Sequence, residues 1–271
     1  MIAFVDRMGH QVSQNLNYTY QLFLLSYLSV RSTLVGQTQG WRTLYGVISA
    51  QIYFTGWQAM PLVTFLALGS GALVAFQSVM QMTYFGGVNY VGNFMVMVVV
   101  RELGPLLTAL LVIARSGTAV ASELGSMKVN REVDALQVMG INPLSFIIFP
   151  RLVGGIISVM CLSFYFVLFA TFAGFVVCRM VKGLPFDLYF TSLAQAAGIG
   201  DFFVFFLKSF FSGLIIFSVS CYQGLQVKKS PHEIPQVTTN AVVKSTVYVL
   251  VFNSILTLYF YFDYIANIGM F

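Results

Sequence analysis

The longest stretch of the chain without a charged side chain covers 58 residues, positions 43–100. A helix needs about 20 apolar residues to cross the hydrocarbon layer of a membrane, so this stretch predicts one spanning helix, a turn and the start of a second. The pair Gly86-Gly87 and Asn89 favour a turn at 84–89. The first span is therefore predicted at residues 53–82.

The rest of the chain repeats this arrangement of apolar stretches separated by charged residues. Further spans are predicted at residues 91–120, 142–178 and 201–227, and from residue 238 into the aromatic tail 259–264. Only 8% of the residues are charged, against about 25% in soluble domains, which excludes a soluble enzyme. We predict an all-α integral membrane protein with five transmembrane helices.

Small side chains are concentrated in the first span and permit close approach of another helix. They are Ala67, Gly69, Ser70, Gly71 and Ala75. The sequence leaves open whether that other helix belongs to the same chain or to a second copy.

The first 50 residues mix apolar and charged side chains and contain no clean span. We predict one or two amphipathic helices that lie in the membrane interface over residues 1–50, followed by the transmembrane domain at 51–271. A sixth, imperfect span is the alternative. Five spans with a cytoplasmic N-terminus place 7 Lys and Arg residues inside and 2 outside, which agrees with the positive-inside rule, and put the C-terminus in the periplasm.

Sequence patterns of catalysis are absent. The chain has neither a G-x-S-x-G nucleophile elbow nor a phosphate-binding G-x-x-x-x-G-K-[ST] loop. His10 and His232 lack metal-ligand spacing. We therefore predict no catalytic residue, no metal and no cofactor on this chain, and any work driven by ATP requires a separate partner. The basic excess is ascribed to cytoplasmic loops and not to nucleic-acid binding.

Charged residues inside the spans are candidates for function. Arg101 and Glu102 lie about one third of the way into the second span, where an unpaired charge costs at least about 2.5 kcal/mol. Neighbours on a helix point about 100° apart, so this pair cannot neutralise itself. A cavity-lining role and a structural ion pair with another span remain open. Lys208 also needs a partner, whereas Asp201, near the outer surface, is expected to be solvated.

The polar segment 123–140 follows the second span. Val129, Val133 and Leu136 recur at helical spacing and predict one short amphipathic helix. It is either a solvated connector or a docking helix for a soluble partner; spacing alone favours the connector.

Longer motifs give a more specific indication. They are Arg101-Glu102-Leu103-Gly104-Pro105, Glu123-Leu124-Gly125, Asp134-Ala135-Leu136, Met139-Gly140, Asn142-Pro143, Pro150-Arg151, Lys208-Ser209 and Cys221-Tyr222-Gln223-Gly224. In this order and spacing the chain closely resembles the MlaE (YrbE) family of ABC-transporter permeases, over about residues 50–260.

The resemblance implies a permease of the bacterial inner membrane that moves phospholipids and maintains outer-membrane lipid asymmetry. Its implied partners are a second copy of the chain, two cytosolic ATPases that bind ATP and Mg²⁺, a periplasmic ring of MCE-domain proteins, and in some systems a STAS-domain protein. The N-terminal helices would be elbow helices. The rival hypotheses are a proton-driven transporter that uses Glu102 or Asp201, and a membrane anchor for the ring without transport of its own.

The resemblance also assigns roles to residues. The implied lipid cavity is bordered by Val74, Phe85, Arg101, Glu102 and Leu103. The implied coupling helix, which would fit a groove on the ATPase, contains Glu123, Lys128, Val129, Arg131, Glu132, Val133, Asp134, Leu136 and Gly140. Lys208 is the further charge within the membrane.

Overall fold

The computed structural model describes residues 2–35, 41–84, 91–228 and 230–267, and within these ranges the chain forms helices and no strand. The helices are α1 (Ile2–Val35), α2 (Trp41–Thr55), α3 (Met60–Tyr84), α4 (Val91–Val129), α5 (Glu132–Val138), α6 (Leu144–Lys182), α7 (Phe186–Ala196), α8 (Ile199–Leu225) and α9 (Ile234–Asn267).

Among the described residues, five helical stretches are long and apolar enough to cross a membrane, which agrees with the predicted number of spans. They are Leu44–Met82, Val91–Val129, Leu144–Lys182, Ile199–Leu225 and Pro231–Phe260. The second ends nine residues later than predicted, because the helix continues past its apolar part into the charged residues. Hydropathy locates the part of a helix that lies in lipid, not the end of its hydrogen bonding.

The first span has a joint at its start. α2 ends at Thr55, a single 3₁₀ turn occupies Trp57–Ala59, and α3 begins at Met60. Pro61 has no N–H to continue the hydrogen bonding of a helix from the preceding turn, which accounts for the interruption. The predicted boundary after residue 50 falls within α2. The described part of the first 50 residues thus contains two helices, and their position in the membrane interface stays a prediction.

Close packing of α3 on α6 explains most of the small residues of the first span. A Cβ built on Gly71 would lie 2.2 Å from the carbonyl oxygen of Ala170, and Ala67 and Ala75 are fully buried. These three therefore serve packing within the chain. Gly69 has no atom within 4 Å of its Cβ position and lies on the open face of α3.

α8 contacts α4, α6 and α9 within the bundle. Glycines permit this proximity: a Cβ on Gly155 of α6 would overlap the Phe217 ring, and one on Gly224 would meet α4 at Leu124. α1 crosses the far end of α8, where the hydroxyls of Ser26 and Ser218 are 2.8 Å apart. The two helices that carry intramembrane charge, α4 and α8, are thereby held side by side.

Candidate functional site: paired charges beside a membrane cavity

Lys208 of α8 is 1% exposed and lies against the second span. Its Nζ donates to Glu102 Oε1 at 2.8 Å, to the Arg101 carbonyl at 2.9 Å and to Thr257 Oγ1 of α9 at 2.8 Å. An ammonium group has three donors, so all three are used. The expectation that Lys208 needs a partner from another helix is confirmed.

The bond to the Arg101 carbonyl follows from the local sequence. In an α-helix that carbonyl accepts from the N–H four residues later, which is position 105, and Pro105 has none. The helix is also widened into a π-helical segment at Val96–Leu103 just before the proline, a distortion that is frequent at functional sites. Lys208 therefore donates to a carbonyl whose ordinary α-helical donor position is a proline.

Arg101 forms a second ion pair between the same two helices. Its Nη2 donates to Asp201 Oδ2 at 3.1 Å, and its Nε lies 2.8 Å from Oδ1 in an ionic contact. Asp201 Oδ2 also accepts from the backbone N–H of Gly198 at 3.0 Å and so caps the N-terminus of α8. The expectation that Asp201 is merely solvated was wrong: the side chain of Arg101 turns toward α8 and neutralises it.

A cavity of about 680 Å³ opens beside these pairs. Its wall combines the four charged side chains with apolar and small residues of α4, α7, α8 and α9. The residues that line the cavity are Asn93, Val96, Met97, Arg101, Glu102, Gln195, Ala196, Gly198, Gly200, Asp201, Val204, Lys208, Thr257 and Phe260. The Glu102 side chain is 38% exposed, so its carboxylate faces this space, while its partner Lys208 is buried. Such a wall suits a ligand with a polar head and an apolar body.

The structure brings together only some of the residues predicted for the cavity. Arg101, Glu102 and Lys208 line it, whereas Val74 packs against the core from α3 and Leu103 is not part of the wall. Phe85 lies outside the described residues.

The segment that follows the second span is two pieces and not one amphipathic helix, which corrects the prediction from spacing. Glu123, Lys128 and Val129 belong to the end of α4, and α5 begins only at Glu132. Between them Arg131 adopts φ 58°, a left-handed conformation that costs a non-glycine residue of the order of 1 kcal/mol and ends the helix.

Each piece forms an ion pair with another helix. Glu123 accepts from Arg151 Nη2 of α6 at 2.7 Å, and Lys128 donates to Asp134 of α5 at 3.0 Å. Within α5, Val133 is buried and Leu136 is partly buried against the core. Glu132 and Gly140, the latter with φ 76°, complete the segment.

The exposed end of this segment is apolar, which the sequence pattern did not reveal. Val138 is 89% exposed and Met139 64% exposed. A pair of exposed large apolar side chains at the end of a short helix fits a surface that another protein or the membrane covers.

The sequence model of the MlaE permease family matches residues 48–259, which include both ion pairs, all of α5 and most of every span. The chain belongs to the MlaE permease family. The resemblance inferred from the motifs is thereby confirmed, and with it the assignment of the chain as a permease subunit of an ABC-transporter family.

Individual permeases align with this chain along most of their length. A probable ABC transporter permease protein of Rickettsia typhi is 31% identical over 211 residues, 78% of this chain and 82% of the relative. The intermembrane phospholipid transport system permease protein MlaE of Haemophilus influenzae is 26% identical over 258 residues, 95% of this chain and 97% of the relative. A probable ABC transporter permease protein of Synechocystis is 25% identical over 207 residues, 76% and 79% of the two chains.

One residue of this site, Thr257, was missed by sequence reasoning. Thr257 bridges Lys208 and Glu102, with its Oγ1 3.0 Å from both carboxylate oxygens. One turn earlier on α9, Asn253 donates to Ser212 Oγ of α8 at 3.2 Å. The available signal was indirect: each charge within a span requires polar partners, and Thr257 is a polar side chain in the last span.

Proposed function

We propose that this chain is the transmembrane permease subunit of an ABC transporter that moves phospholipids between the inner and outer membranes of a bacterium. The observation that carries the proposal is the alignment over 95% of the chain with a permease named for intermembrane phospholipid transport. The cavity beside the ion pairs supports it, because its wall offers charge for a headgroup and apolar surface for acyl chains.

The proposed assembly contains two copies of the chain, two cytosolic ATPase subunits, a periplasmic MCE-domain ring and, in some cases, a STAS-domain protein. The N-terminus is cytoplasmic and the C-terminus periplasmic, as the distribution of Lys and Arg favours. ATP and Mg²⁺ bind to the ATPase. The exposed pair Val138 and Met139 supports a contact of that partner with α5 and the turn that follows.

The proposed mechanism uses binding and movement without covalent chemistry. Arg101 and Glu102 lie near the lipid headgroup, and acyl chains occupy the apolar part of the cavity. α4 is continuous from Val91 to Val129 and leads directly to α5. A displacement of α5 by the ATPase therefore reaches the ion pairs through one helix, and the cavity opens or closes as α4 and α8 move together relative to α7 and α9.

Reconstitution tests the proposal against its rivals. The permease, its ATPase and its MCE partner are placed in vesicles with a fluorescent phospholipid, and transfer of the lipid to the MCE protein is measured. We expect transfer to require hydrolysable ATP and to persist when an uncoupler collapses the proton gradient. Transfer that stops with the uncoupler would favour a proton-driven transporter, and no transfer with an intact complex would favour a membrane anchor.

A test of the charged wall requires a variant that still folds. Replacing both Glu102 and Lys208 with Met removes the pair without leaving an unpaired buried charge. We expect transfer to fall about tenfold or more, since a hydrogen bond to a charged group contributes about 1.5–3 kcal/mol. The matched control is Asp187→Ala, an exposed carboxylate in the first turn of α7. Equal transfer by the double variant and the control would contradict the assigned role.

A further inference from the structure

Arg115 on α4 lies far from the paired charges and has an arrangement of its own. Its Nη1 donates to the carbonyl of Phe54 at 2.9 Å, its Nη2 donates to Gln58 Oε1 at 3.0 Å, and its guanidinium carbon lies 5.2 Å from the Phe54 ring centroid. The Phe54 carbonyl is one of the last in α2, so Arg115 caps that helix at the joint before α3.

Neither of these acceptors carries a negative charge. Among the described residues, the ion pairs join Arg101 to Asp201, Lys128 to Asp134, Arg151 to Glu123 and Lys208 to Glu102, and Arg115 takes part in none of them. A guanidinium has five N–H donors, so three remain. The two bonds to the joint fix the plane of the group, and the outward donors are therefore presented in a constant orientation.

Two helices independently place Arg115 at the membrane surface. From Val91 at the start of α4 to Arg115 is 24 residues, more than the about 20 residues that a helix needs to cross the hydrocarbon layer. α3, with 25 residues, is long enough to cross that layer alone, and the joint that Arg115 contacts directly precedes it. Arg115 therefore lies among lipid headgroups in the leaflet on the α5 side.

The surroundings of the joint are those of a lipid contact. Trp57 is 63% exposed and Tyr53 57% exposed, and both precede the first turn of α3. Exposed Trp and Tyr at the end of a span are typical of the headgroup layer. An arginine with free donors beside them matches the geometry of a phosphate, which can accept two parallel hydrogen bonds from one guanidinium.

We propose that Arg115, with the α2–α3 joint, binds the phosphate of an anionic phospholipid in the leaflet on the α5 side. The site goes beyond the proposed transport function. It is separated from Glu102 by 13 residues of α4, about 20 Å, and it holds a lipid against the joint whether or not that lipid is carried. Its test does not involve transport, so either proposal can fail while the other stands.

The chain offers a reporter at the site, since its two tryptophans are Trp41 and Trp57. Trp41→Phe leaves Trp57 as the single tryptophan, whose fluorescence can be excited separately from that of the tyrosines. The full chain is reconstituted in phosphatidylcholine bilayers that contain either brominated phosphatidylglycerol or brominated phosphatidylcholine, and quenching of Trp57 gives the relative affinity. We expect about fivefold preference for phosphatidylglycerol, equivalent to about 1 kcal/mol for one arginine at the membrane surface. Inorganic phosphate in the buffer should not compete, because it lacks the acyl chains.

Three variants assign the preference to Arg115. Arg115→Gln should abolish it, while Arg179→Gln, an exposed arginine at the opposite end of the bundle, should leave it unchanged. Gln58→Glu keeps Arg115 and supplies a protein carboxylate in place of the phosphate, so it should also abolish the preference. This variant tests the proposal even if Arg115→Gln does not fold.

Several results would overturn the proposal. One is equal quenching by the two lipids in the Trp41→Phe protein, and another is a preference that survives Gln58→Glu. Absence of quenching by either lipid would show that a second copy of the chain covers Trp57. Competition by inorganic phosphate would show an anion site that does not select lipid.

Discussion

Replacing Lys208 or Glu102 with Met should have unequal effects on stability, although the two side chains form one ion pair. Lys208 is 1% exposed, whereas 38% of the Glu102 side chain faces the cavity. Removal of Glu102 leaves a buried ammonium without a counter-charge. Removal of Lys208 leaves a carboxylate that water in the cavity can reach. The first change is therefore the more costly.

The magnitudes follow from these environments. Breaking a buried ion pair by removing one partner costs about 3–5 kcal/mol, which we expect for Glu102→Met. For Lys208→Met we expect about 2–3 kcal/mol: the Coulombic part is reduced by hydration of Glu102, but the Arg101 carbonyl loses its donor and Pro105 cannot replace it. The double substitution should cost less than Glu102→Met alone, because no unpaired charge remains. The coupling energy between the two sites then exceeds the cost of Lys208→Met alone and is at least about 2 kcal/mol.

Unfolding of the purified chain in mixed detergent and SDS micelles, followed by circular dichroism, measures all three variants. A Met substitution at Leu207, a partly exposed neighbour of Lys208 on α8, controls for the method. Additive effects of the two substitutions, or a larger loss with Lys208→Met than with Glu102→Met, would refute the reasoning from exposure.

Three further predictions concern other parts of the fold. Gly71→Ala should destabilise the chain by about 1–3 kcal/mol, because its methyl group would overlap the backbone of α6; Gly69→Ala, with open space, should be neutral or stabilising in the same unfolding assay. Asp201→Asn should cost about 1–2 kcal/mol, as the helix cap is weakened and its arginine partner loses a counter-charge; no change in unfolding would contradict the pairing. Met139→Asp should reduce the amount of ATPase that co-purifies with the permease, whereas Met180→Asp, 82% exposed at the other end of the bundle, should not; equal recovery would argue against docking at α5.

The spans could be predicted from the sequence because residues that lie in lipid are apolar, and the hydropathy of each residue can be read directly from the sequence. The need of Lys208 for a partner could also be predicted, since the cost of an unpaired charge does not depend on which helix supplies the counter-charge. The pairing of Arg101 with Asp201 could not. It depends on the rotation of α4 relative to α8, which a π-helical widening and a proline set locally and which no spacing along one helix expresses.

The segment after the second span shows the same limit. Its periodicity suggested one helix, and Val133 and Leu136 do face inward as the pattern requires. The interruption at Arg131 was not predictable, because left-handed conformations are normally signalled by glycine or asparagine. The apolar turn at Val138 and Met139 lies beyond the pattern, and its exposure is visible only once the chain is folded.

The double attachment of Arg101, by its side chain to Asp201 and by its carbonyl to Lys208, has a mechanical consequence. α4 and α8 cannot slide or rotate against each other without losing both bonds, so they behave as one rigid lever. The 39 residues of α4 give that lever a length of about 58 Å at 1.5 Å per residue. If the lever tilts by roughly 5° about one end, the other end moves by about 5 Å, the width of an acyl chain.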